Sequence, residues 1–274
     1  MKKVAVVGLG IIGGSICASL TKAGYIVDGT DKNTESIEYA LKKEYIQGVA
    51  HDISEYDVVF IAVPPTATIS ILQNEKFKDG ALVSDICGVK SVMEEAVNAA
   101  PRNYRYVGIH PMAGKETSGI ASASSNLFNM ANLIIVLAEN TDAEALAEMK
   151  EYAKAMRFGK IVECTAEEHD KKIALTSQLA HIVSNAYVKS PEVKKCDGFT
   201  GGSFQDMTRI AGVDERIWTE LYMNNRAFVL QELDGLIENL KVYRNALEDG
   251  NADALSVALK EGRLIRQNIK RGND

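Results

Sequence analysis

Three glycines form the first group of residues whose spacing could do chemistry. Gly8, Gly10 and Gly13 spell G-x-G-x-x-G between the apolar run KKVAVV and the helix-like segment IIGGSICASL. In such a motif the first glycine permits a tight turn, the second lets backbone approach a pyrophosphate, and the third lets helix pack on strand. A purely structural glycine turn is the alternative. The context predicts a cofactor-binding turn formed by Gly8, Leu9, Gly10, Ile11, Ile12 and Gly13.

Asp31 and the segment Val63–Pro64 extend this prediction. Asp31 follows the next apolar run, where its carboxylate can accept hydrogen bonds from the adenosine ribose and would repel a 2′-phosphate. This favours NAD, although Lys32 beside it could serve a 2′-phosphate, so NADP stays open. Pro64 cannot donate to a strand ladder, so the run DVVFIAV must end there. The ends of parallel strands meet at one edge, which places Val63 and Pro64 at the cofactor crevice unless they are only a strand terminator.

His110 is the second candidate for chemistry. It lies in YVGIHPMAGKETSG, where an apolar strand meets Pro111, which should stop the ladder, and then a polar loop. An imidazole with an ordinary pKa near 6.5 can accept a proton at neutral pH. At the carboxyl end of a strand it would face the same crevice as the glycine turn. The alternative is a histidine that merely ends a strand.

These residues require a sheet to position them. Apolar runs alternate with helix-like segments from Lys3 to Cys164, which predicts an α/β fold with a doubly wound, Rossmann-type parallel sheet over residues 1–164. The run RYVGIH is predicted as one strand. Asn33 is predicted to cap a helix, and two S/T-x-x-E patterns, Thr141 with Glu144 and Thr165 with Glu168, are predicted to open two more.

Beyond Thr165 the sequence favours helices alone. We predict an all-α substrate and dimerisation domain over residues 165–274, with a helix from about Ala166 to Lys189 and a last helix after Gly250. A long helix should follow Asp214. Its apolar positions are Ile217, Leu221, Phe228, Leu233, Leu236, Leu240 and Leu247. Helices this few make a thin core, so their apolar faces should pair with a second subunit as a homodimer.

Composition narrows the possible functions. The net charge is −6 and the basic residues are scattered, which argues against a nucleic-acid partner. No apolar run approaches the roughly 18 residues that span a membrane. The amino-terminal segment imitates a signal peptide, but its glycine spacing fits the turn better. The four cysteines are far apart without a CxxC pair, which predicts reduced cytoplasmic thiols and gives no support for a metal site.

Several motifs together carry a resemblance over almost the whole chain. They are GLGIIGGS, AVPP, D-x-x-x-V-K at Asp85–Lys90, HPMAG-x-E-x-SG, and GGSFQDMTRIA with a following Trp. On these the chain resembles prephenate dehydrogenases, NAD(P)-dependent enzymes of tyrosine synthesis, to which arogenate dehydrogenases are related. The resemblance implies oxidative decarboxylation of prephenate to 4-hydroxyphenylpyruvate. It also implies that His110 accepts the hydrogen bond or proton of the ring 4-hydroxyl.

The same resemblance implies roles for further residues. Arg209 would clamp a substrate carboxylate, and His181 would line the substrate pocket, although a core histidine is the alternative. Glu116 and Lys90 would lie near the substrate, where solvated charges are the alternative. Asp206 and Trp218 would reach towards the pocket of the neighbouring subunit, although for Trp218, the single tryptophan of the sequence, a plain core or interface role is the alternative.

Gly88 departs from the family pattern. The family usually has Ser before V-K, and that hydroxyl contacts the 4-hydroxyl and the catalytic histidine. Here water, Cys87, Ser91 or Thr117 must replace the contact, or His110 works with less help. Arogenate as substrate stays open. Two other enzyme classes with the same two-domain plan also stay open, β-hydroxyacid dehydrogenases and pyrroline-carboxylate reductases. The first class relies on a lysine in the helical domain, which Lys171 or Lys172 could supply. Gly88 in place of Ser also leaves open a catalytically silent NAD-binding protein.

Overall fold

Strands and helices alternate along the first two thirds of the chain, as predicted, and helices alone follow. The computed structural model describes residues 2–114, 117–138 and 141–269. The strands described are β1 (Lys3–Val7), β2 (Ile26–Thr30), β3 (Gly48–Val49), β4 (Val58–Ile61), β5 (Leu82–Asp85), β6 (Arg105–Tyr106), β7 (Gly108–Pro111), β8 (Asn132–Val136) and β9 (Lys160–Cys164). The α-helices described are α1 (Ile11–Lys22), α2 (Thr34–Lys42), α3 (Pro65–Asn74), α4 (Ser91–Asn98), α5 (Ala143–Ala155), α6 (Ala166–Ile173), α7 (Ala180–Tyr187), α8 (Gly202–Thr208), α9 (Glu215–Asn224), α10 (Arg226–Glu248) and α11 (Ala252–Asn268).

The main sheet has six parallel strands in the order β3-β2-β1-β4-β5-β6. The chain leaves β1 towards β2 on one side and later returns to β4 on the other, so the connections diverge between β1 and β4. Ligands bind at the carboxyl ends of the strands beside such a switch point. The glycine turn follows β1 and Val63 follows β4, so both predicted cofactor segments meet at this edge. The predicted Rossmann-type fold is confirmed.

The predicted strand RYVGIH is wrong as a single strand, because it divides between two sheets. β6 pairs with β5, whereas β7 pairs antiparallel with β8, and β8 pairs parallel with β9. Val107 between them donates to Val83 and accepts from the Ser84 hydroxyl, so it stays attached to the main sheet while the chain turns away. The main sheet is parallel as predicted, and β7 belongs to a second, mixed sheet that the prediction did not include. The ladder also runs one residue further than expected, since Pro111 still pairs with Leu133.

Helix caps follow the prediction in two of three places. Asn33 accepts from the Glu35 amide, and Thr165 accepts from the Glu168 amide. The predicted cap at Thr141 is wrong, because Asp142 caps α5 by accepting from the first-turn amides of residues 144 and 145. A carboxylate both accepts these bonds and favours the positive end of the helix dipole, which explains the choice of Asp142.

The helix predicted to follow Asp214 is wrong in its length, because it breaks at Asn225. The Asn225 amide is buried and donates to the Asp170 carbonyl at 2.9 Å and to Gln178 Oε1 at 2.6 Å. These bonds hold the residue out of helical geometry. The helix predicted from Ala166 is present as α6 and α7 joined by a π-helical segment, Ala174–Leu179, and it ends at Tyr187.

The chain forms two compact units, residues 1–225 and 226–274. The first contains both sheets and α1–α9. The second is the helix pair α10 and α11, joined through Gly250 in the left-handed conformation and capped by Asn251. The predicted domain boundary between residues 164 and 165 falls directly after β9, the last strand described, and it stays a prediction. Within the described ranges, no helix is both long and apolar enough to cross a bilayer.

Candidate active site

Two adjoining cavities lie at the carboxyl ends of β1 and β4. The larger has a volume of about 770 Å³ and the smaller about 240 Å³. Both are lined by Gly10, Val63, Pro64 and Ile217. Every residue predicted to hold the cofactor lines one cavity or the other except Leu9, which is buried in the core. The structure thus brings the predicted cofactor residues to one place.

The glycine turn has the shape that a pyrophosphate requires. Gly8 has a φ of +95°, and a Cβ added at Gly13 would lie 1.9 Å from the Gly8 carbonyl oxygen. A Cβ at Gly10 would instead meet nothing within 4 Å, because this position opens into the cavities. Helix α1 begins at the next residue with no side-chain cap, so its first N–H groups are available to an anion. The turn therefore fits a dinucleotide.

Asp31 is held by backbone bonds at the lining of the larger cavity. Its Oδ2 accepts from the Leu9 amide at 2.6 Å and its Oδ1 accepts from the Asn33 amide at 2.8 Å. Each carboxylate oxygen can accept a second hydrogen bond, which leaves capacity for ribose hydroxyls. Leu9 thus contributes to the site through its backbone, which fixes the carboxylate.

His110 begins a chain of hydrogen bonds that leads away from the cavities. His110 Nδ1 lies 2.9 Å from His169 Nε2, and His169 Nδ1 lies 2.7 Å from Asp170 Oδ1. Because a carboxylate only accepts, His169 carries its proton on Nδ1 and accepts at Nε2. His110 therefore donates from Nδ1, which leaves a lone pair on its Nε2. A Cβ at Gly88, which lines the smaller cavity, would lie 3.5 Å from that Nε2 atom.

The surroundings keep His110 neutral. Burial of the ring, the neighbouring His169 and the charge of Lys90 hold the pKa of His110 well below its usual 6.5. Burial also lowers the pKa of His169, in spite of its bond to Asp170. Burial raises the pKa of Asp170, but hydrogen bonds from His169 and Ser91 outweigh it, and the net pKa is lowered. The arrangement is therefore a neutral His110 imidazole that is hydrogen-bonded through His169 to the Asp170 carboxylate.

Comparison with known proteins places this geometry in a family. Residues 16–162 match the family model described as prephenate dehydrogenase, nucleotide-binding domain, and residues 165–261 match the one described as prephenate dehydrogenase, dimerization domain. The chain belongs to the prephenate dehydrogenase family. It is accordingly an oxidoreductase, and the family and enzyme class predicted from the sequence are confirmed.

Individual relatives agree with this assignment. The chain is 30% identical over 284 residues to a prephenate dehydrogenase of Bacillus subtilis, covering 97% of this chain and 76% of the relative. It is 31% identical over 291 residues to a cyclohexadienyl dehydrogenase of Zymomonas mobilis, covering 100% and 98%. A solved prephenate dehydrogenase from A. aeolicus, in complex with hydroxyphenyl propionate and NAD+, has a TM-score of 0.84 at 28% identity, covering 98% and 99%. These relatives support the predicted NAD-dependent dehydrogenase.

Lys90 is buried, and its charge is one of the causes that lower the pKa of His110. Its ammonium lies 2.6 Å from Asp85 Oδ1, and Tyr106 donates to the other oxygen of the same carboxylate. Its backbone amide donates to Asp170 Oδ1 at 2.8 Å. Lys90 therefore acts on the site through charge and backbone geometry, and its ammonium is committed to Asp85 rather than presented to a substrate.

His181 and Trp218 meet within one chain. Their ring centroids are 3.9 Å apart, and His181 Nδ1 donates to the Ser177 carbonyl at 2.9 Å, which leaves Nε2 as an acceptor. Arg209 follows the last residue of α8, where it is exposed. The α8 segment is fastened to α7 by the bond from Ser184 to the Met207 carbonyl. Asp206 is exposed on α8. Their substrate roles stay predictions, and Glu116 lies outside the described residues.

Sequence reasoning missed two residues of the site, His169 and Asp170. Both are buried, and they lie in the first helix after the last strand, in TAEEHD. The signal was available, because a histidine next to an aspartate on a buried helix face is costly unless both are bonded. Nothing local, however, connects that pair to His110.

Proposed function

We propose that this chain catalyses NAD-dependent oxidative decarboxylation of prephenate to 4-hydroxyphenylpyruvate, with His110 as the base. The observation that carries the proposal is the bond order His110–His169–Asp170, which leaves a lone pair on His110 Nε2 beside the smaller cavity. That cavity adjoins the dinucleotide turn through Gly10 and Gly13. A base so placed can act on an alcohol whose carbon faces the cofactor.

The residues would act in the following order. His110 Nε2 accepts the hydrogen bond of the prephenate 4-hydroxyl and takes its proton as the ring carbonyl forms. When bound, the oxidised nicotinamide accepts the hydride that leaves ring C4. Cleavage of the bond between the ring and its carboxylate would then release CO2, and the electron pair of that bond would make the ring aromatic and leave a phenolate oxygen at C4. That oxygen would take back the proton held by His110, which restores the neutral base. Asp170 stabilises the imidazolium that forms at His110, through the intervening His169.

Substrate binding would fall to the helical segments. Arg209 can hold a carboxylate with its planar guanidinium, and His181 can accept from a substrate group at Nε2. Asp206 and Trp218 would serve the pocket of a second subunit, and Glu116 a polar end of the substrate. Lys90 would contribute through its charge, which helps to keep the pKa of His110 low.

The decisive test measures NADH formation and CO2 release by the purified protein with prephenate and NAD. We expect both in equal amounts. His110→Asn should lower kcat by about 10²–10⁴-fold, the usual contribution of a general base, while the Kd for NAD changes little. His51→Asn, at an exposed histidine, is the matched control. A folded, NAD-binding protein that turns over neither prephenate nor arogenate would refute the proposal.

Arogenate is the second candidate substrate. It differs from prephenate by an amino group in place of the keto group on the side chain, away from the reacting carbon, so the same base serves both. The 31% identity to a cyclohexadienyl dehydrogenase of Zymomonas mobilis favours testing it. Values of kcat/KM for both substrates, each with NAD and with NADP, would rank the pairs.

We also propose that the protein is a cytoplasmic homodimer that pairs through its carboxyl-terminal helices. The match of residues 165–261 to a dimerization domain supports the pairing, as do the exposed apolar side chains of α10 and α11. All four cysteines are free thiols, which suits a reducing compartment. No nucleic-acid or membrane partner is proposed.

A further inference from the structure

The larger cavity has a second wall that does not belong to the sheet. On one side are Asp31 and Lys32, which follow β2. The other side, which we call the α9 wall, includes Asp214, which caps α9, and Arg216 and Glu220 of that helix. A group bound at the adenosine end would therefore meet charges from two separate parts of the sequence. Selection between NAD and NADP depends on charge at this end, because the two differ there by one phosphate.

The charged groups of the α9 wall are paired. Arg216 donates to Asp214 from Nη2 at 3.1 Å and from Nε at 3.4 Å. Glu220 Oε2 accepts from the Thr66 amide at 2.9 Å, at the start of α3. With Asp31 and Lys32 opposite, three carboxylates face two cations around the cavity. The lining is thus negative overall, and its one guanidinium is held by a neighbour.

We propose that Asp214 is a cofactor-selectivity residue of this enzyme. Its carboxylate adds negative charge to the adenosine end and holds the Arg216 guanidinium, so the cavity disfavours the 2′-phosphate of NADP. Asp31 alone would leave Lys32 and a free Arg216 to bind that phosphate, as guanidinium groups readily do. The NAD preference therefore depends on both walls. This inference rests on the proposed use of a nicotinamide dinucleotide, but not on the substrate.

The substitution Asp214→Asn tests the proposal cleanly. Asp214 caps α9 by accepting from the amides of residues 216 and 217, and asparagine caps helices equally well, so the fold should persist. The Kd values of NAD+ and NADP+ are measured by calorimetry without prephenate. We expect the Kd of NADP+ to fall about tenfold, because one repulsive charge is lost and Arg216 is released, while that of NAD+ stays within about twofold.

Three further variants complete the experiment. Asp142→Asn makes the same change at the cap of α5, away from the cavity lining, and should alter neither Kd. Glu220→Gln removes a charge but can still accept from Thr66, so it should improve NADP+ binding by a smaller factor. Adding Arg216→Ala to Asp214→Asn should abolish most of the gain.

The proposal is overturned if Asp214→Asn leaves the ratio of the two Kd values unchanged, or if the gain survives Arg216→Ala. Because these are binding measurements, a failure to oxidise prephenate would count against the proposed function and leave this test intact.

Discussion

His110 Nε2 lies near Gly88, a lining residue of the smaller cavity, and keeps its lone pair because Nδ1 is already bonded to His169. The sequence separation of these two histidines is 59 residues, yet one bond of 2.9 Å sets the tautomer of the base. The neighbours also set its charge, since burial, His169 and Lys90 all lower the pKa of His110. A base that is already neutral well below pH 6.5 needs no deprotonation before it binds an alcohol. A side chain at residue 88, where the family usually has a serine, would lie near His110 Nε2, and Gly88 offers no side chain there to bond that nitrogen.

The pH dependence of kcat/KM should report this environment. With a lowered pKa, His110 carries its lone pair above that value and loses it to protonation below, so activity should stay level from pH 8 to below 6.5 and fall only in more acidic solution. His169→Asn removes one cause of the lowered pKa, so the acidic fall should move to higher pH, with a reduced kcat. An unmoved acidic limb in that variant would contradict the role given to His169.

At the scale of elements, the strand–turn–helix at the amino terminus is built by glycines with different tasks. Gly13 lets α1 approach the turn, because the Gly8 carbonyl occupies the place of a side chain. Gly10 faces open space and has a negative φ of −74°, so its smallness is not required by packing and leaves room for the proposed dinucleotide. One motif thus contains a packing glycine and a binding glycine.

Alanine substitutions should separate these two tasks. Gly13→Ala should reduce the free energy of unfolding by about 3 kcal/mol or more, because its Cβ cannot fit without moving the backbone. Gly10→Ala should leave stability within about 1 kcal/mol and weaken NAD binding by at least about tenfold, because a methyl group would enter the phosphate position. Urea denaturation and calorimetric titration measure the two effects. Equal losses of stability in both variants would show that the division is wrong.

At the scale of the whole molecule, the second compact unit exposes much apolar surface. On α10 and α11 it includes Leu240, 56% exposed, and Leu259, 57% exposed. Large apolar side chains exposed in such number often cover an interface. Pairing with a second copy would bury it, as the proposed dimer requires.

Charged substitutions on this surface should dissociate the proposed dimer. Leu240→Glu combined with Leu259→Glu would place unpaired carboxylates in the interface, so light scattering should give the monomer mass at concentrations where the unchanged protein is dimeric. Met130→Glu, at a residue that is 82% exposed in the first unit, should not change the mass. A dimer that survives the double substitution would exclude this surface as the interface.

The sequence by itself determined the parts of this protein that depend on neighbouring residues. The glycine turn and the alternation of apolar strands with helices follow from local periodicity and backbone chemistry. The end of β7 does not, because its ladder continues through Pro111. The motifs were sufficient to identify the family, and the predicted cofactor residues other than Leu9 line the two cavities.

Only the tertiary structure decided how distant residues complete one another. His169 and Asp170 are hydrogen-bonded to His110 as a chain because the fold brings α6 against β7. Asp214 lines the larger cavity together with Asp31 because the fold brings the start of α9 to that cavity. The break at Asn225 has the same origin, because its amide is bonded to Asp170 and Gln178. Local patterns cannot contain such contacts, since each depends on two segments that are separated in sequence and brought together by the packing of the core.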